Sequence, residues 1–398
     1  MLQDRYIALG ITGSISAYKA ADLASKLTQA GARVDVLMTE AATRFIAPLT
    51  LRSLTGRRVF LDMFDPNTEL AEEHVEIARR ADAVIVAPAS ATTIAKLAQG
   101  LADDVVSLTV LATQAPVLIA PAMDHQMYEN AATQANLETL RERGYAIVGP
   151  AEGRLASGRV GLGRLVETEV LLGAVRQALG RNGDLARRRV VVSAGGTQEA
   201  IDPVRFVGNR SSGKMGYALA EAARDLGAEV TLVTAPTALA CPYGVRLVPV
   251  QSAREMRDAV ASACQDADAL IMAAAVADFQ PTEAADHKIK KSGKTGLTLE
   301  LEPIPDILSE MEGEFVRVGF KAESRDVVES AREMLRRKRL DLVVANDVTA
   351  PGSGFASDTN QVTLIDASGA AEALPLLPKY QVAQRILDRV VALLRERF

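Results

Sequence analysis

One segment of the chain has the spacing of a phosphate-binding loop. From Gly208 to Lys214 the sequence reads GNRSSGK, which matches the pattern G-x-x-x-x-G-K. A P-loop continues with Ser or Thr, whose hydroxyl binds Mg²⁺, but this chain continues with Met215, and a thioether is a poor ligand for a hard cation. The segment also lies well beyond the preceding strand, which we expect to end near Ala194, whereas a P-loop joins its strand to its helix directly. We therefore expect an anion site at the start of a helix and not a Walker-type NTPase.

The composition excludes several classes of function. Lys+Arg 45 against Asp+Glu 50 gives a formal charge of −5, and aromatic residues make up 4% with no Trp, so a general nucleic-acid binder is not supported. Cys241 and Cys264 form no CxxC pattern, which removes support for a zinc or redox motif. The start MLQDRYIALGITG lacks the features of a signal peptide, and no apolar run is long enough to span a membrane. We expect a soluble, cytoplasmic protein that binds neither nucleic acid nor membranes.

Short apolar segments alternate with helical patterns along both halves of the 398-residue chain. The segments that predict strands are RYIALGI, RVDVLMT, ADAVIVAPAS and APVLIAPAM in the first half, and RRVVVSAGG, EVTLVT, ADALIMAAAVADF and LDLVVAND in the second. This alternation predicts two doubly wound, Rossmann-like α/β domains with mainly parallel sheets. The polar interruption LGRNGDLARRR, around 181–188, sets the predicted domain boundaries at 1–183 and 184–398. Ligands of such sheets bind beyond the carboxyl ends of the strands, so the loops there are the candidate sites.

Six segments of the second half occur together in one enzyme family. They read SAGGTQEAIDPVRFVGNRSSGKMG, AAAVADF, HKIKK, PIPDIL, VGFKAE and LDLVVAND. Together they resemble the ligase half of the bacterial bifunctional phosphopantothenoylcysteine decarboxylase/phosphopantothenate–cysteine ligases, and the first half of the chain resembles the flavin-dependent decarboxylase of that family. The resemblance covers nearly the whole chain. It implies a flavodoxin-like flavoprotein domain followed by a ribokinase/Rossmann-like ligase domain, in an enzyme of coenzyme A biosynthesis.

The ligase half of this family joins 4′-phosphopantothenate to cysteine. CTP converts the substrate carboxylate to an acyl-cytidylate with loss of pyrophosphate, the amine of cysteine then attacks, and Mg²⁺ bridges the triphosphate. The resemblance implies that Asn209 handles the activated acyl group and that Lys288, on a lid segment, stabilises the intermediate. It assigns no metal ligand of the protein. The residues that it implies for nucleotide contact are Ala274, Asp278, Lys288, Pro305, Asp306, Ile307, Phe320 and Lys338.

Simpler interpretations stay open for some of these residues. Asn209 also fits a helix cap, and Ile307 and Phe320 also fit an ordinary apolar core. The family has a second helical lysine near the nucleotide, and this chain has Met334 at that position. Arg336 or Arg337 would have to supply the missing contact with the nucleotide.

The decarboxylase half of the family uses FMN, which supplies the electron sink that decarboxylation of an acylated cysteine lacks. The resemblance implies that His74 is catalytic. Small hydroxyl residues at strand ends suit hydrogen bonds to a phosphate and to ring edges, although each also fits an ordinary helix cap. The residues implied for FMN contact are Gly13, Ser14, Ser16, Thr39, Ser90 and Ser107.

Four substitutions fall in the decarboxylase half, where the implied substrate contacts are Thr92, Met123 and Asp124, and one of them places Tyr128 where the family has a tryptophan. Thr92 and Asp124 replace asparagines of the family, and Ser157 replaces a catalytic cysteine that protonates the enethiolate. A serine hydroxyl is a far weaker acid than a thiol, which titrates at about pH 8.5. An ionised Asp124 would repel a carboxylate substrate unless it is paired. Two interpretations follow: an active decarboxylase with rearranged substrate contacts, or a flavin-binding module that retains only a role in assembly.

A third interpretation is a pyridine-nucleotide oxidoreductase. It has less support because neither GITGSIS nor SAGGTQE contains the pattern G-x-G-x-x-G. The family resemblance instead implies a homo-oligomer in which trimeric decarboxylase units and dimeric ligase units combine into a dodecamer, with the flavin between subunits.

Overall fold

The structure is a computed structural model that describes residues 1–62, 73–291, 296–323, 326–347, 354 and 357–397. The chain divides into two compact units, Met1–Gly180 and Arg181–Phe398. The sequence places the boundary after residue 183, and that position stays a prediction. Among the described residues no helix is both long and apolar enough to cross a membrane.

The first unit contains a six-stranded sheet in the order β3-β2-β1-β4-β5-β6, in which every neighbouring pair is parallel. A separate antiparallel hairpin, β7–β8, follows it. The elements of this unit are β1 (Tyr6–Ile11), α1 (Ala17–Gln29), β2 (Arg33–Met38), α2 (Glu40–Thr43), α3 (Pro48–Thr55), β3 (Val59–Phe60), α4 (Glu73–Arg80), β4 (Ala83–Ala89), α5 (Ala91–Gln99), α6 (Val105–Ala112), β5 (Val117–Pro121), α7 (His125–Glu129), α8 (Ala131–Glu142), β6 (Ala146–Ile147), β7 (Ala151–Arg154), β8 (Val160–Arg164) and α9 (Thr168–Gly180).

The central strands β1 and β4 of this sheet are buried on both faces. Ile7 and Leu9 are 0% exposed and Ala8 is 1% exposed, and every residue of β4 is buried. Parallel strands covered by helices on both faces read as continuous apolar runs, which is the pattern that the sequence shows. Beyond β1 the chain turns tightly at Gly13, where an added Cβ would lie 2.7 Å from the Cβ of Ala41. Only glycine therefore lets this turn approach α2.

The second unit contains an eight-stranded sheet in the order β13-β12-β9-β14-β17-β18-β20-β21. The pairs from β13 to β18 are parallel, and β20 and β21 add an antiparallel edge. The elements are β9 (Arg189–Ala194), β10 (Gln198–Ala200), β11 (Phe206–Gly208), α10 (Lys214–Asp225), β12 (Glu229–Thr234), β13 (Arg246–Pro249), α11 (Ala253–Ala263) with a 3₁₀ turn (Cys264–Asp266), β14 (Ala269–Met272), β15 (Phe279–Pro281), β16 (Leu301–Pro303), α12 (Ile307–Glu310), β17 (Val316–Glu323), α13 (Val327–Arg337), β18 (Leu342–Asp347), β19 (Thr359–Asn360), β20 (Val362–Asp366), β21 (Ala371–Ala373), β22 (Leu377–Pro378) and α14 (Lys379–Arg397).

Alternate residues of β9 enter two different apolar cores. Val190 and Val192 pack in the cluster that includes α10 and α14, whereas Val191 packs with α11 and α13. This period of two explains how one apolar segment holds helices on both faces of the sheet. The chain then passes from β9 to β12 on one side and later to β14 on the other, which opens a crevice at the carboxyl ends of β9 and β14.

The segment between β9 and α10, which the sequence predicts only as a long loop, contains the antiparallel hairpin β10–β11. Two backbone bonds join its start to the end of β14: the Ala275 amide donates to the Gly195 carbonyl at 2.8 Å, and the Thr197 amide donates to the Ala275 carbonyl at 3.3 Å. The fold class predicted from the sequence is confirmed, since both main sheets are mainly parallel. The hairpins and the antiparallel edge were not predicted.

Candidate functional site

The second unit has a cavity of about 600 Å³ at the carboxyl ends of its central strands. Side chains from the start of α10, the loop after β14, the start of α12, β17 and the end of α13 line it. Eight residues that the sequence analysis assigned to the ligase lie in this lining: Asn209, Ala274, Asp278, Pro305, Asp306, Ile307, Phe320 and Lys338. The structure therefore brings these distant positions of the chain into one place.

The charges around this cavity are mainly positive. The described lining carries the cations Arg210, Lys214, Lys321, Arg337, Lys338 and Lys379 and the carboxylates Asp278 and Asp306. Lys214 also pairs with Asp358 and Lys321 with Glu323, so a smaller surplus of positive charge is left at this cavity in a chain whose formal net charge is −5. Low-dielectric walls concentrate the field of such a surplus, so the cavity suits a polyanion.

Asn209 lies immediately after β11 and its side chain is held by a backbone group. Its Nδ2 donates to the carbonyl of Val276 at 2.8 Å. Gly196 is required beside it, because a Cβ added there would lie 2.6 Å from the Asn209 carbonyl oxygen. The residue before α10 is Gly213, with φ +75°, so Asn209 does not cap that helix and the simpler interpretation of this residue is wrong.

Asp306 and Lys338, both implied nucleotide contacts, form an ion pair. Lys338 Nζ lies 2.6 Å from Asp306 Oδ2. Burial alone would raise the pKa of Asp306, but the hydrogen bond and the charge of Lys338 outweigh it, and the pKa is lowered. The carboxylate is therefore ionised, and the ammonium is already positioned at the cavity wall.

Met334 and Arg337 also line the cavity on α13. Met334, where the resemblance implies a second lysine of the family, is 8% exposed and belongs to the apolar core. Arg337 lies in the cavity lining, whereas Arg336 faces Glu329 at 3.7 Å. Of the two arginines considered for the missing lysine contact, Arg337 is thus the one placed at the cavity.

Sequence reasoning did not assign three lysines of this lining, Lys214, Lys321 and Lys379. Lys214 pairs with Asp358 at 2.7 Å. Lys379 is 6% exposed, and its Nζ donates to the carbonyls of Gly354 and Ser357. Burial, followed by the charge of Lys214, lowers the pKa of Lys379. Lys214 was visible only as part of a P-loop-like spacing, and nothing in the sequence around Lys379 marked it.

Lys288 does not line this cavity. It is exposed on the segment between β15 and β16, a segment that includes residues 292–295, which lie outside the described residues. The next residue, Ile289, donates its amide to Asp202 Oδ2 at 3.1 Å. The role of Lys288 stays a prediction, and any action at the cavity would require its side chain or its segment to move inward.

In the first unit, the implied FMN contacts after β1, β2 and β4 gather at the carboxyl ends of three neighbouring strands. Ser14 and Ser16 follow β1, where the Ser14 hydroxyl accepts from the Ser16 amide at 3.3 Å. Thr39 follows β2 and accepts from the Ala42 amide at 3.3 Å. This edge of the sheet combines hydroxyl groups with the tight turn at Gly13, a donor set that suits a phosphate.

Ser90 and Ser107 both act as local helix-start residues. Ser90 caps α5 by accepting from the Thr93 amide at 3.3 Å. Ser107, 0% exposed, accepts from the Asp104 amide at 3.2 Å in a capping box at the start of α6. The capping interpretation is thus satisfied for both hydroxyls, and their contact with FMN stays a prediction.

The implied substrate contacts show one unexpected pair. Asp124 accepts a hydrogen bond from the Ser157 hydroxyl, with 2.7 Å between Oγ and Oδ2, and its Oδ1 accepts from the Gln126 amide at 3.1 Å. The pKa of Asp124 is lowered mainly by the hydrogen bond from Ser157 and next by the hydrogen bond from the Gln126 amide. Met123, just before it, donates its amide to the Gly163 carbonyl at 2.9 Å, and Thr92 is exposed on α5.

His74 is the second residue of α4 and is half-buried. The residues immediately before this helix, 63–72, lie outside the described residues, so its catalytic role stays a prediction. Within the described part of the chain, no group of three or more His, Cys, Asp or Glu side chains is arranged to hold a metal ion.

Comparisons with known proteins cover both units. Residues 1–180 match the family model Flavoprotein, and residues 185–394 match the model DNA/pantothenate metabolism flavoprotein C-terminal domain. The chain is 47% identical over 402 residues to the Coenzyme A biosynthesis bifunctional protein CoaBC of Bacillus subtilis, covering 100% of this chain and 99% of that protein. It is 43% identical over 397 residues to the protein of the same name from Escherichia coli K12, covering 98% of this chain and 97% of that protein.

A solved structure is also similar to part of this chain. The crystal structure of the C-terminal domain of a Coenzyme A biosynthesis bifunctional protein CoaBC is 41% identical, with a TM-score of 0.47, and the match covers 54% of this chain and 99% of that chain.

Proposed function

The chain belongs to the family of coenzyme A biosynthesis bifunctional proteins and is an enzyme with ligase and decarboxylase activities, and we propose how its residues perform them. In the second unit, the cavity binds CTP with Mg²⁺ and joins 4′-phosphopantothenate to cysteine. In the first unit, the edge formed by β1, β2 and β4 binds FMN for decarboxylation of 4′-phosphopantothenoylcysteine to 4′-phosphopantetheine.

One observation carries the ligase proposal: a cavity with a surplus of positive charge is lined by eight residues assigned independently from the sequence. The substrate carboxylate attacks the α-phosphorus of CTP, and pyrophosphate leaves with the electrons of the broken P–O bond. The amine of cysteine then attacks the acyl carbon and CMP leaves. Both steps build negative charge, so pre-positioned cations such as Lys338 and Arg337 lower the barriers.

The residues around the acyl group have distinct tasks in this scheme. Asn209 is held by the bond from its Nδ2 to the Val276 carbonyl, lines the cavity and would handle the activated acyl group. Lys288 approaches from its exposed segment and stabilises the acyl-cytidylate. Asp278, one of the two lining carboxylates, would hold Mg²⁺, which neutralises triphosphate charge when bound.

The proposed decarboxylase site combines FMN with the pair Asp124 and Ser157. FMN, when bound, supplies the electron sink for loss of CO₂. Gly13, Ser14 and Ser16 would hold its phosphate where the amino end of α1 adds a favourable dipole. His74 acts on the substrate, and Ser157 orients the Asp124 carboxylate instead of donating a proton, because its hydroxyl hydrogen is engaged with Oδ2.

That hydrogen bond also favours a second candidate for the first unit, a flavin-binding module with impaired decarboxylation. With Ser157 in place of a thiol and its hydrogen directed to Asp124, proton delivery to the enethiolate would depend on water or another acid. Measurement of CO₂ release from 4′-phosphopantothenoylcysteine distinguishes the two candidates.

We also propose a homo-oligomer located in the cytoplasm, with no nucleic-acid or membrane partner. Large apolar side chains are exposed near the turn after β1 and on the helices beside it: Ile15 is 63%, Tyr18 64%, Phe45 52% and Leu49 70% exposed. Burial of such a cluster between copies would stabilise an assembly with the flavin at a subunit boundary. Light scattering during size-exclusion chromatography tests for the trimer- and dimer-based dodecamer.

The test of the proposed function is a complete reaction mixture. Purified protein is given Mg²⁺, 4′-phosphopantothenate, cysteine and CTP, with ATP or no nucleotide as controls, and CMP, pyrophosphate and CO₂ are measured. We expect CMP and pyrophosphate in amounts equal to the ligated product. Absence of nucleotide-dependent product would overturn the ligase assignment, and NADH binding without any CTP dependence would favour an oxidoreductase.

A further inference from the structure

Asp202 is a buried carboxylate at the tip of the β10–β11 hairpin. Its side chain is 0% exposed. Its Oδ1 accepts from the amides of Val204 and Arg205 at 2.8 and 2.9 Å. Its Oδ2 accepts from Arg205 Nη1 at 3.1 Å and from the Ile289 amide at 3.1 Å. A buried charge is costly unless it is fully bonded, and four donors meet this requirement here.

The last of these bonds reaches the segment that carries Lys288. The peptide group that donates to Asp202 is the one that joins Lys288 to Ile289. Arg205 Nη2 also donates to the carbonyl of Ile289 at 3.2 Å, so both backbone polar groups of Ile289 are held. On the other side of Lys288, the amide of Ala285 donates to the Ile201 carbonyl at 2.9 Å. The hairpin tip thus holds the backbone before and after Lys288.

The same hairpin leads directly to Asn209. Gly208, the last residue of β11, pairs with Gln198, and Asn209 follows it into the cavity lining. One short element therefore links both residues assigned to the acyl-transfer chemistry: Asn209 follows its last strand, and its tip binds the separate segment that carries Lys288.

We infer that Asp202 is a positioning residue of the ligase. It fixes the backbone at Lys288, so that only the lysine side chain has to move to reach the acyl-cytidylate. This inference rests on the proposed role of Lys288. Asp202 does not touch substrate in this scheme. It reduces the conformational freedom that Lys288 would lose on reaching the transition state, and positioning of this kind contributes strongly to catalytic rates.

The ionised state of Asp202 fits this task. Burial would raise the pKa of this carboxyl, but the backbone donors of Val204, Ile289 and Arg205, together with the charge of Arg205, lower it overall. Bonds to an ionised acceptor are stronger than bonds between neutral groups. Asp202→Asn keeps the size of the side chain but loses the charge and turns one acceptor oxygen into a donor.

The test compares Asp202→Asn with Glu199→Gln in the full-length protein. Glu199 is a matched control because it is a carboxylate on the same hairpin, is 4% exposed and accepts the Ala253 amide at 3.0 Å. Among the described residues of the Lys288 segment, none forms a hydrogen bond with the Glu199 side chain. Trypsin cleaves after lysine, so the rate of cutting at the Lys288–Ile289 bond reports directly on the backbone. We expect Asp202→Asn to be cut there about tenfold faster or more, and Glu199→Gln to be cut like the wild type.

Ligation kinetics provide the second readout. Asp202→Asn should lower kcat for ligation by about tenfold or more, the loss expected for a charge-assisted bond, while KM for CTP stays within about threefold of the wild-type value. A purely structural loss would instead weaken CTP binding and kcat together. Unchanged trypsin cutting and unchanged kcat in Asp202→Asn would overturn the inference.

A second variant removes the donor and not the acceptor. Ile289→Pro deletes the amide that Asp202 accepts, and it lies in a surface segment, so the sheet should fold even if Asp202→Asn does not. It should slow ligation similarly, and the double variant should show little further loss because both changes break one bond. Additive losses would contradict the inference.

Lys288→Gln separates failure of the inference from failure of the proposed function. If Lys288→Gln ligates at the wild-type rate, then the proposed role of Lys288 is wrong. If Lys288→Gln is slow but Asp202→Asn and Ile289→Pro are not, then Lys288 acts without this anchor and only the inference is wrong.

Discussion

Ser157 and Asp124, two positions at which we expect this chain to depart from its family, are hydrogen-bonding partners. The Ser157 hydroxyl donates to Asp124 with 2.7 Å between Oγ and Oδ2. The bond keeps the pKa of Asp124 low, so the carboxylate is charged and is paired with a hydroxyl. The two substitutions therefore form one altered contact in the proposed decarboxylase site.

The first prediction concerns proton delivery. Ser157→Cys should raise the rate of 4′-phosphopantetheine formation by about tenfold or more, because a thiol is a far stronger acid than a hydroxyl. The measurement is single-turnover decarboxylation by flavin-loaded protein. Ser157→Ala is the matched control and should not be faster than the wild type. If the cysteine variant shows no gain, another group already protonates the enethiolate.

The second prediction concerns the negative charge of Asp124. Asp124→Asn should lower KM for 4′-phosphopantothenoylcysteine by about three- to tenfold, because it removes a like charge that would face the substrate carboxylate. The effect should shrink as salt is raised, since added ions screen exposed charges. An identical KM in wild type and variant at low salt would place Asp124 away from the substrate carboxylate.

The third prediction concerns Lys288. Lys288→Gln should slow CMP release during ligation by about a hundredfold, since it removes a cation that stabilises developing negative charge, while the bound flavin stays unchanged by absorbance. Lys290→Gln, in the same exposed segment, is the control and should retain nearly full activity. A Lys288→Gln enzyme as fast as the Lys290→Gln enzyme would remove the assigned role.

The fourth prediction concerns the ion pair at the cavity wall. Lys338→Met should weaken CTP binding by about tenfold or more, because it deletes a cation and leaves the Asp306 carboxylate unpaired beside the triphosphate. Arg336→Met is the control, since Arg336 faces Glu329 and is not part of the cavity lining. Equal CTP affinities of the two variants, determined by calorimetry, would show that Lys338 does not contact the nucleotide.

The sequence predicted the two α/β domains because long apolar runs with helical segments between them leave few alternatives. It did not predict the β10–β11 hairpin, whose strands are three residues each and carry no clear alternation of apolar and polar residues. It also missed the antiparallel strands β20 and β21, because nothing in a short apolar strand encodes the direction of its neighbour.

Sequence motifs predicted only some residues of the candidate site. Asn209, Asp278 and Phe320 stood in recognisable segments and Lys338 matched a helical lysine by resemblance, and the structure places all four in one cavity lining. Lys379 lies in no such segment, and its place at the cavity arises from the docking of α14. The bond between Ser157 and Asp124 depends on a hairpin folding back on α7, which no local pattern specifies.

The central claim is that the cavity of the second unit binds a triphosphate that activates a carboxylic acid. Titration calorimetry of the folded protein with CTP in the presence of Mg²⁺ tests this most directly. We predict a saturable heat for CTP that is reduced in Lys338→Met and retained in Arg336→Met. The absence of heat for CTP and for every other nucleoside triphosphate, from protein shown to be folded, would contradict it.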